Sequence, residues 1–279
     1  MKFVEKLLNP LKNNKKPYQD ISKESKQVAQ NTPSDLLINA RNIAGNRIQN
    51  MINTLEGCRW LRAEYTYPSF DSMNFAYKNK IFSVVIDIRD EEGNSYIPEE
   101  YVKRQLYAAE VYNLVPCKYI VTVDNPEAPD LSSLKPANEG WNLFNTKTEE
   151  EVIPEQTATD EKTEMSEWEM RTIGIRFIMN YLKSKKYIVR NFQDTLEVDP
   201  QIWFEDANGK RSWVLLRCSK SGEELKKPEK MNEIIRRCFK FDGYYIHIAF
   251  SSFNTDQKLY RDEKYKTDVL MFEKIHSVI

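Results

Sequence analysis

Two carboxylates and a cation raise the question of chemistry. Asp87 and Arg89 stand two residues apart at the end of the run 81–89, and Asp71 lies upstream in the turn sequence 68–72. Side chains alternate along a strand, so Asp87 and Arg89 leave a sheet on the same side. Two acids at strand ends, with a cation beside one, make a divalent-metal site for phosphodiester cleavage, or the remnant of one. Hard oxygen ligands suit Mg²⁺, which stabilises an in-line displacement. The plainer reading is that Asp71 caps a turn and that Asp87 and Arg89 form an ion pair.

The elements that must position these residues follow from pattern. Ile81, Val84, Val85 and Ile86 make 81–88 a strand buried on both faces. Before it come a helix over 34–56, ended by Gly57, and strands over 59–67 and 74–77. After it, Pro98, Glu99 and Glu100 open a helix that turns Val102, Leu106, Ala109 and Tyr112 inward. Pro116 is expected to stop that helix, and 117–123 is a further strand. The order is α-β-β-β-α-β.

Residues 1–33 read as a polar tail or linker, 34–124 as a first domain, 125–165 as an acidic, proline-punctuated linker and 166–279 as a second domain. Within the linker, Trp141, Leu143 and Phe144 are expected to anchor it to a domain surface. The second domain repeats the order: a helix over 166–184, strands over 187–192, 201–204 and 211–217, a helix opened by Pro228, a strand over 244–250, and a tail that adds an edge element. Ile48, Asn53, Leu55 and Trp60 match Ile175, Asn180, Leu182 and Tyr187. Asp71 matches Asp199, and Val84, Asp87 and Pro98 match Val214, Arg217 and Pro228. The offset stays roughly 130 residues, which is the size of a domain rather than of a solenoid repeat.

This arrangement resembles the restriction-endonuclease-like, PD-(D/E)XK nuclease superfamily, over about residues 41–124 and 167–252. The resemblance implies an α/β fold of two duplicated domains, each a mixed central sheet flanked by helices. It also implies metal ligation by Asp71 and Asp87, a catalytic set of Asp71, Asp87, Arg89 and Gln105, and Mg²⁺ as cofactor. Arg89 falls where that family has lysine, and a guanidinium does not exchange a proton with water as an amine does. In the second domain Asp199 survives, but Arg217 replaces the second acid. Ser219 stands in the lysine position and Lys220 lies one residue out of register, so Arg217 and Lys220 become binding rather than catalytic candidates. The expectation there is an internal pair between Asp199 and Arg217.

Composition narrows the classes further. A net charge of −1 gives no global attraction for nucleic acid, though it leaves room for a local basic groove. Eight glycines and no phosphate-loop pattern argue against nucleotide-binding architectures. Cys58, Cys117, Cys218 and Cys238 form no CxxC pair, so they read as reduced core thiols in a cytoplasmic protein and not as a zinc site. With only His247 and His276, triads that need a histidine base are poorly supported. No apolar run is long enough to span a membrane. The expected function is a tandem nuclease-like protein that no longer cleaves and serves as a nucleic-acid-binding or interaction module. Candidate phosphate contacts are Lys78, Lys80, Lys103 and Arg104 in the first half and Lys226, Lys227, Arg236 and Arg237 in the second. The alternatives are a Mg²⁺-dependent nuclease with only the first domain active, and a protein-interaction or assembly factor with no nucleic-acid role.

Overall fold

The computed structural model describes residues 35–63, 72–124, 130–196, 198–224, 228, 230–253 and 258–275. The chain begins with α1 (Asp35–Thr54), whose buried stripe of Ala40, Ala44, Ile48 and Ile52 recurs every four residues. Gly57, at φ +80°, turns the chain out of it. Strands β1 (Arg59–Arg62), β2 (Met73–Tyr77) and β3 (Lys80–Arg89) follow, then α2 (Glu99–Tyr112) and β4 (Val115–Thr122). The segment after β4 adds two short strands, β5 (Lys135–Pro136) and β6 (Leu143–Asn145), and the one-turn helix α3 (Pro154–Thr157). The second half consists of α4 (Glu167–Ser184), β7 (Ile188–Phe192), β8 (Ile202–Glu205), β9 (Arg211–Lys220), α5 (Met231–Arg237), β10 (Asp242–Ser252) and β11 (Tyr265–Ile275).

The protein is thus mixed α/β, with two mixed sheets flanked by helices. The first sheet runs β1-β2-β3-β4 with β5 and β6 beside β4, and the second runs β7-β8-β9-β10-β11. In each, the first three strands are antiparallel, the third and fourth are parallel, and the next is antiparallel again. Register fixes which positions correspond. Val84 faces Met73 and Cys117 in one sheet, and Val214 faces Ile202 and Tyr244 in the other.

In the first half, α1 covers one face of the sheet over Phe82, Val84, Ile86 and Ile88. The other face is apolar at one end, where Leu61, Ala76 and Ile81 meet Ala109 of α2 and Trp168 of α4. Toward the other end it is polar: Asn74, Ser83 and Asp87 are all buried there. In the second half, α4 covers Val214, Leu216 and Cys218, and α5 covers Trp213, Leu215 and Tyr245. Helix α4 can lie this close to β9 because Gly174 has no side chain; a Cβ there would stand 2.7 Å from the Cys218 sulfur.

Three sequence expectations change. Pro116 does not stop α2: the helix ends at Tyr112, with Asn113 in the left-handed conformation, and Pro116 lies inside β4. Helix α2 buries Gln105 and Ala109, with Leu106 only partly covered, because the strand face beneath it is polar. The segment 130–158 packs into the first core through Leu134, Trp141, Leu143, Val152 and Ala158, and it extends the first sheet.

The two halves are locked together by buried charge. Arg261 donates to both oxygens of Glu169 at 2.8 Å and also to the Asn79 carbonyl in the β2–β3 turn. Arg62 of β1 pairs with Asp194 at 2.9 Å, both buried. Tyr112 stacks on Trp168 across the same boundary, with centroids 5.4 Å apart. Among the described residues no helix is long and apolar enough to cross a membrane.

Candidate functional site

Asp87 lies at the polar end of the face beneath α2 and is fully buried. Strand alternation brings Arg89 to the same side, and its Nε and Nη2 reach Asp87 Oδ2 at 2.9 and 2.8 Å. The other oxygen accepts from the Ser95 hydroxyl at 2.5 Å. Ser95 is delivered by the loop after β3, which folds back as Tyr96 N–H donates to the Ile88 carbonyl. The tip of that loop is tied by Asp90, which accepts from Asn94 and Tyr96. Those bonds hold its exposed carboxyl below the ordinary range. On β4, Lys118 brings its ammonium to 3.7 Å from Asp87 Oδ2. Glu149, from the turn after β6, closes the group by pairing with Lys118 and lying 3.5 Å from Arg89.

The result is a closed set of two carboxylates, two cations and a hydroxyl. A divalent ion at Asp87 would have to displace Arg89 or Ser95 and would meet the Lys118 charge as well, so these residues do not fit Mg²⁺. Gln105 is committed elsewhere. Its amide nitrogen donates at 2.6 Å to the carbonyls of Ser83 on β3 and Cys117 on β4, and its oxygen accepts from Thr146 at 2.9 Å. Pro116 turns its backbone away from β3, its carbonyl accepting from Thr146 N–H, so the Gln105 amide adds a donor to two carbonyls of the β3–β4 pair rather than replacing one lost to the proline. Gln105 is therefore a buried clasp, neither a metal ligand nor a solvated helix residue. Asp71 lies outside the described residues.

In the second half the pair between Asp199 and Arg217 is formed, and it is bidentate. Nη1 and Nη2 of Arg217 donate to Oδ1 and Oδ2 at 2.8 and 2.6 Å. Gln201, fully buried, also donates to Asp199 and to the Val198 carbonyl, and accepts from Leu216 N–H at 2.6 Å. Burial alone would raise the Asp199 carboxyl, but the hydrogen bonds from Arg217 and Gln201 outweigh it and hold the group below its usual value. Behind this pair, Arg171 of α4 donates to the Leu196 carbonyl at 2.6 Å. Ser219, in the lysine position, bonds the His247 ring at 2.8 Å, and Tyr245 meets the other ring nitrogen at 3.3 Å. Burial and the Arg217 charge lower the His247 pKa and favour the neutral ring. Lys220 points away, to Glu164 at 2.8 Å.

Four of the eight remaining candidates for phosphate contact form surface ion pairs. Lys78 pairs with Asp160, Lys103 with Glu99, Arg104 with Glu100 and Arg237 with Glu233. Lys226 and Lys227 lie outside the described residues. Trp213, Tyr244 and Tyr245 are core residues, and Trp203 packs edge-on against Phe241 at 5.5 Å. The thiols are unpaired, and burial pushes both Cys58 and Cys218 up to about 12.

Sequence reasoning missed Lys118, Ser95 and Glu149. Lys118 carried a signal, being the one charged residue in the apolar run 117–123. The other two arrive on loops with no pattern. A family model described as a domain of unknown function, DUF8840, matches residues 168–275. That match runs from the first turn of α4 to the end of β11, the whole of the second sheet with its helices. No curated protein and no solved structure matches the chain.

Proposed function

We propose that the chain is a tandem pair of restriction-endonuclease-like units that has lost cleavage chemistry and works as an interaction module for a protein partner. The observation that carries this reading is the state of Asp87. It is the second acid that the resemblance requires, yet it is fully buried and held by Arg89 and Ser95 with Lys118 close by. The common strand order and directions of the two sheets support the duplicated-unit part of the reading. Arg217, paired with Asp199 where the second half would need an acid, supports the loss of chemistry there. Pairing of Lys78, Arg89, Lys103, Arg104, Arg217 and Lys220 with carboxylates favours a protein over a polyphosphate partner. Four unpaired thiols support a reducing, cytoplasmic setting.

The test is a titration of fluorescent single-stranded and duplex oligonucleotides with the full chain, at low salt with Mg²⁺ or Mn²⁺ present. The expected result is neither cleavage nor saturable binding at micromolar protein. Cleavage lost on Asp87→Ala would restore the nuclease reading, with Mg²⁺ as its cofactor. Tight binding without cleavage would move the module to nucleic acid.

A further inference from the structure

The end of the second sheet remote from Arg217 is basic. Strand register brings Ile188, Glu205, Arg211, Asp242 and Lys274 to that end. The C-terminus of α4 leads into it with Lys183, Lys185 and Lys186, and that of α5 with Arg236, Arg237 and Lys240, all exposed. Its carboxylates are already engaged. Glu205 pairs with Arg190 and Arg211 at 2.6 and 2.7 Å, Asp242 with Lys210 and Lys274 at 2.7 and 3.4 Å, and Glu233 with Arg237. Asp206 accepts from the N–H groups of Asn208 and Lys210 in the β8–β9 turn. Lys186, Arg236 and Lys240 pair with no carboxylate among the described residues. Beside them Phe239 is 59% exposed, with the Lys240 ammonium 5.9 Å from its ring centre. The pair between Lys210 and Asp242 ties the β8–β9 turn to the α5–β10 turn that carries Phe239.

The first half shows what lies on the corresponding turn. Val84 and Val214 correspond by register, and so do Lys80 and Lys210 on the same strands, so the β2–β3 turn at Lys78 and Asn79 matches the β8–β9 turn at 207–209. In the first half an acidic stretch of the chain, Thr159-Asp160-Glu161, is seated on that turn. Asn79 Oδ1 accepts from Thr159 N–H at 2.8 Å, Asn79 Nδ2 donates to Thr159 Oγ1 at 2.9 Å, and Lys78 reaches Asp160 at 2.7 Å. The turn of the second half also offers an asparagine and a lysine, Asn208 and Lys210, but residues 207–210 are all exposed.

We infer that this basic end binds an acidic polypeptide segment of a partner, laid over the β8–β9 turn as 159–161 lies over the β2–β3 turn, with an apolar side chain of the segment against Phe239. Charge complementarity selects the acidic partner: Lys186, Arg236 and Lys240 are free to meet its carboxylates, and the Asn208 amide can bond its backbone. The fixed carboxylates Glu205, Asp206 and Asp242 stand among the cations. They repel a phosphate backbone, which is charged at every step, more than a peptide whose acids can be spaced between them. This inference rests on the protein-partner part of the proposed function and names that partner's chemistry. It takes nothing from the Asp87 cluster.

The experiment follows fluorescence anisotropy as the full chain is added to three labelled probes. They are a peptide of alternating Glu and Ser around a central Leu, the same peptide with Gln for Glu, and a single-stranded oligonucleotide matched to the first in charge. The acidic peptide should bind saturably at low salt, with a dissociation constant of about 100 μM or tighter, and weaken severalfold as salt rises to about 0.3 M. The Gln peptide and the oligonucleotide should not saturate. Arg236→Glu combined with Lys240→Glu should weaken the acidic peptide by about tenfold, which is about 1.4 kcal/mol. Phe239→Ser should weaken it less. Lys103→Glu combined with Arg104→Glu, an equal charge change on α2, should leave it unchanged. Silence of all three probes, equal binding of the two peptides, or equal loss in the two charge-reversed variants would overturn this inference and leave the protein-partner reading standing. Oligonucleotide binding that disappears in the Arg236 and Lys240 variant would overturn both.

Discussion

Where β3 carries Asp87, β9 carries Arg217. The first half neutralises its buried acid from within the same strand, through Arg89 two residues on, and reinforces it with Ser95 and Lys118. The second half neutralises its half-buried cation across the strand end, through Asp199 before β8. Both solutions obey one constraint: a charge at the end of a covered strand must find its counter-charge inside the protein. A site that has met this need internally has little left with which to hold a metal ion.

The comparison can be broken by truncating each cation. Arg89→Ala leaves Asp87 fully buried and should cost about 3–4 kcal/mol in urea unfolding. Arg217→Ala should cost less, about 1–3 kcal/mol, because the Asp199 side chain keeps 17% of its exposure and a bond from Gln201. The reverse order would contradict the account of the two environments. Next in size is Gln105→Leu, which removes the donors to Ser83 and Cys117 and should cost about 1–2 kcal/mol. It should leave the second half's unfolding unchanged if the halves melt separately.

The smallest effect is in pH. The Asp199 carboxyl is lower in the folded than in the unfolded chain. Its contribution is therefore fully present above the unfolded pKa of about 4, and is lost as pH falls through the lower folded value. The stability gap between the wild type and Asp199→Asn should be constant above that point and should narrow below it. A gap that widens on acidification would reverse the sign.

Much of this was legible from residue types. The β-branched run around Val84 marked a strand covered on both faces, and the acid at 199 with the arginine at 217 foretold their pair. Gln105 was not legible as a clasp, because the carbonyls of Ser83 and Cys117 that it joins come side by side only once β4 pairs with β3. Pro116 itself read as a helix stop, since local sequence cannot say that Asn113 has already turned the chain. The segment holding Trp141 read as linker because its prolines and acids dominate locally, while its apolar residues act only against a sheet distant in sequence. Ser95 and Glu149 are ordinary loop residues until the fold brings them to Asp87.

The central claim is that the Asp87 cluster is closed to metal. Isothermal calorimetry of the full chain with Mn²⁺, compared with Asp87→Asn and Asp71→Asn, tests it most directly. The account predicts no saturable heat for any of the three proteins at millimolar Mn²⁺. Stoichiometric uptake by the wild type that both variants lose would contradict it.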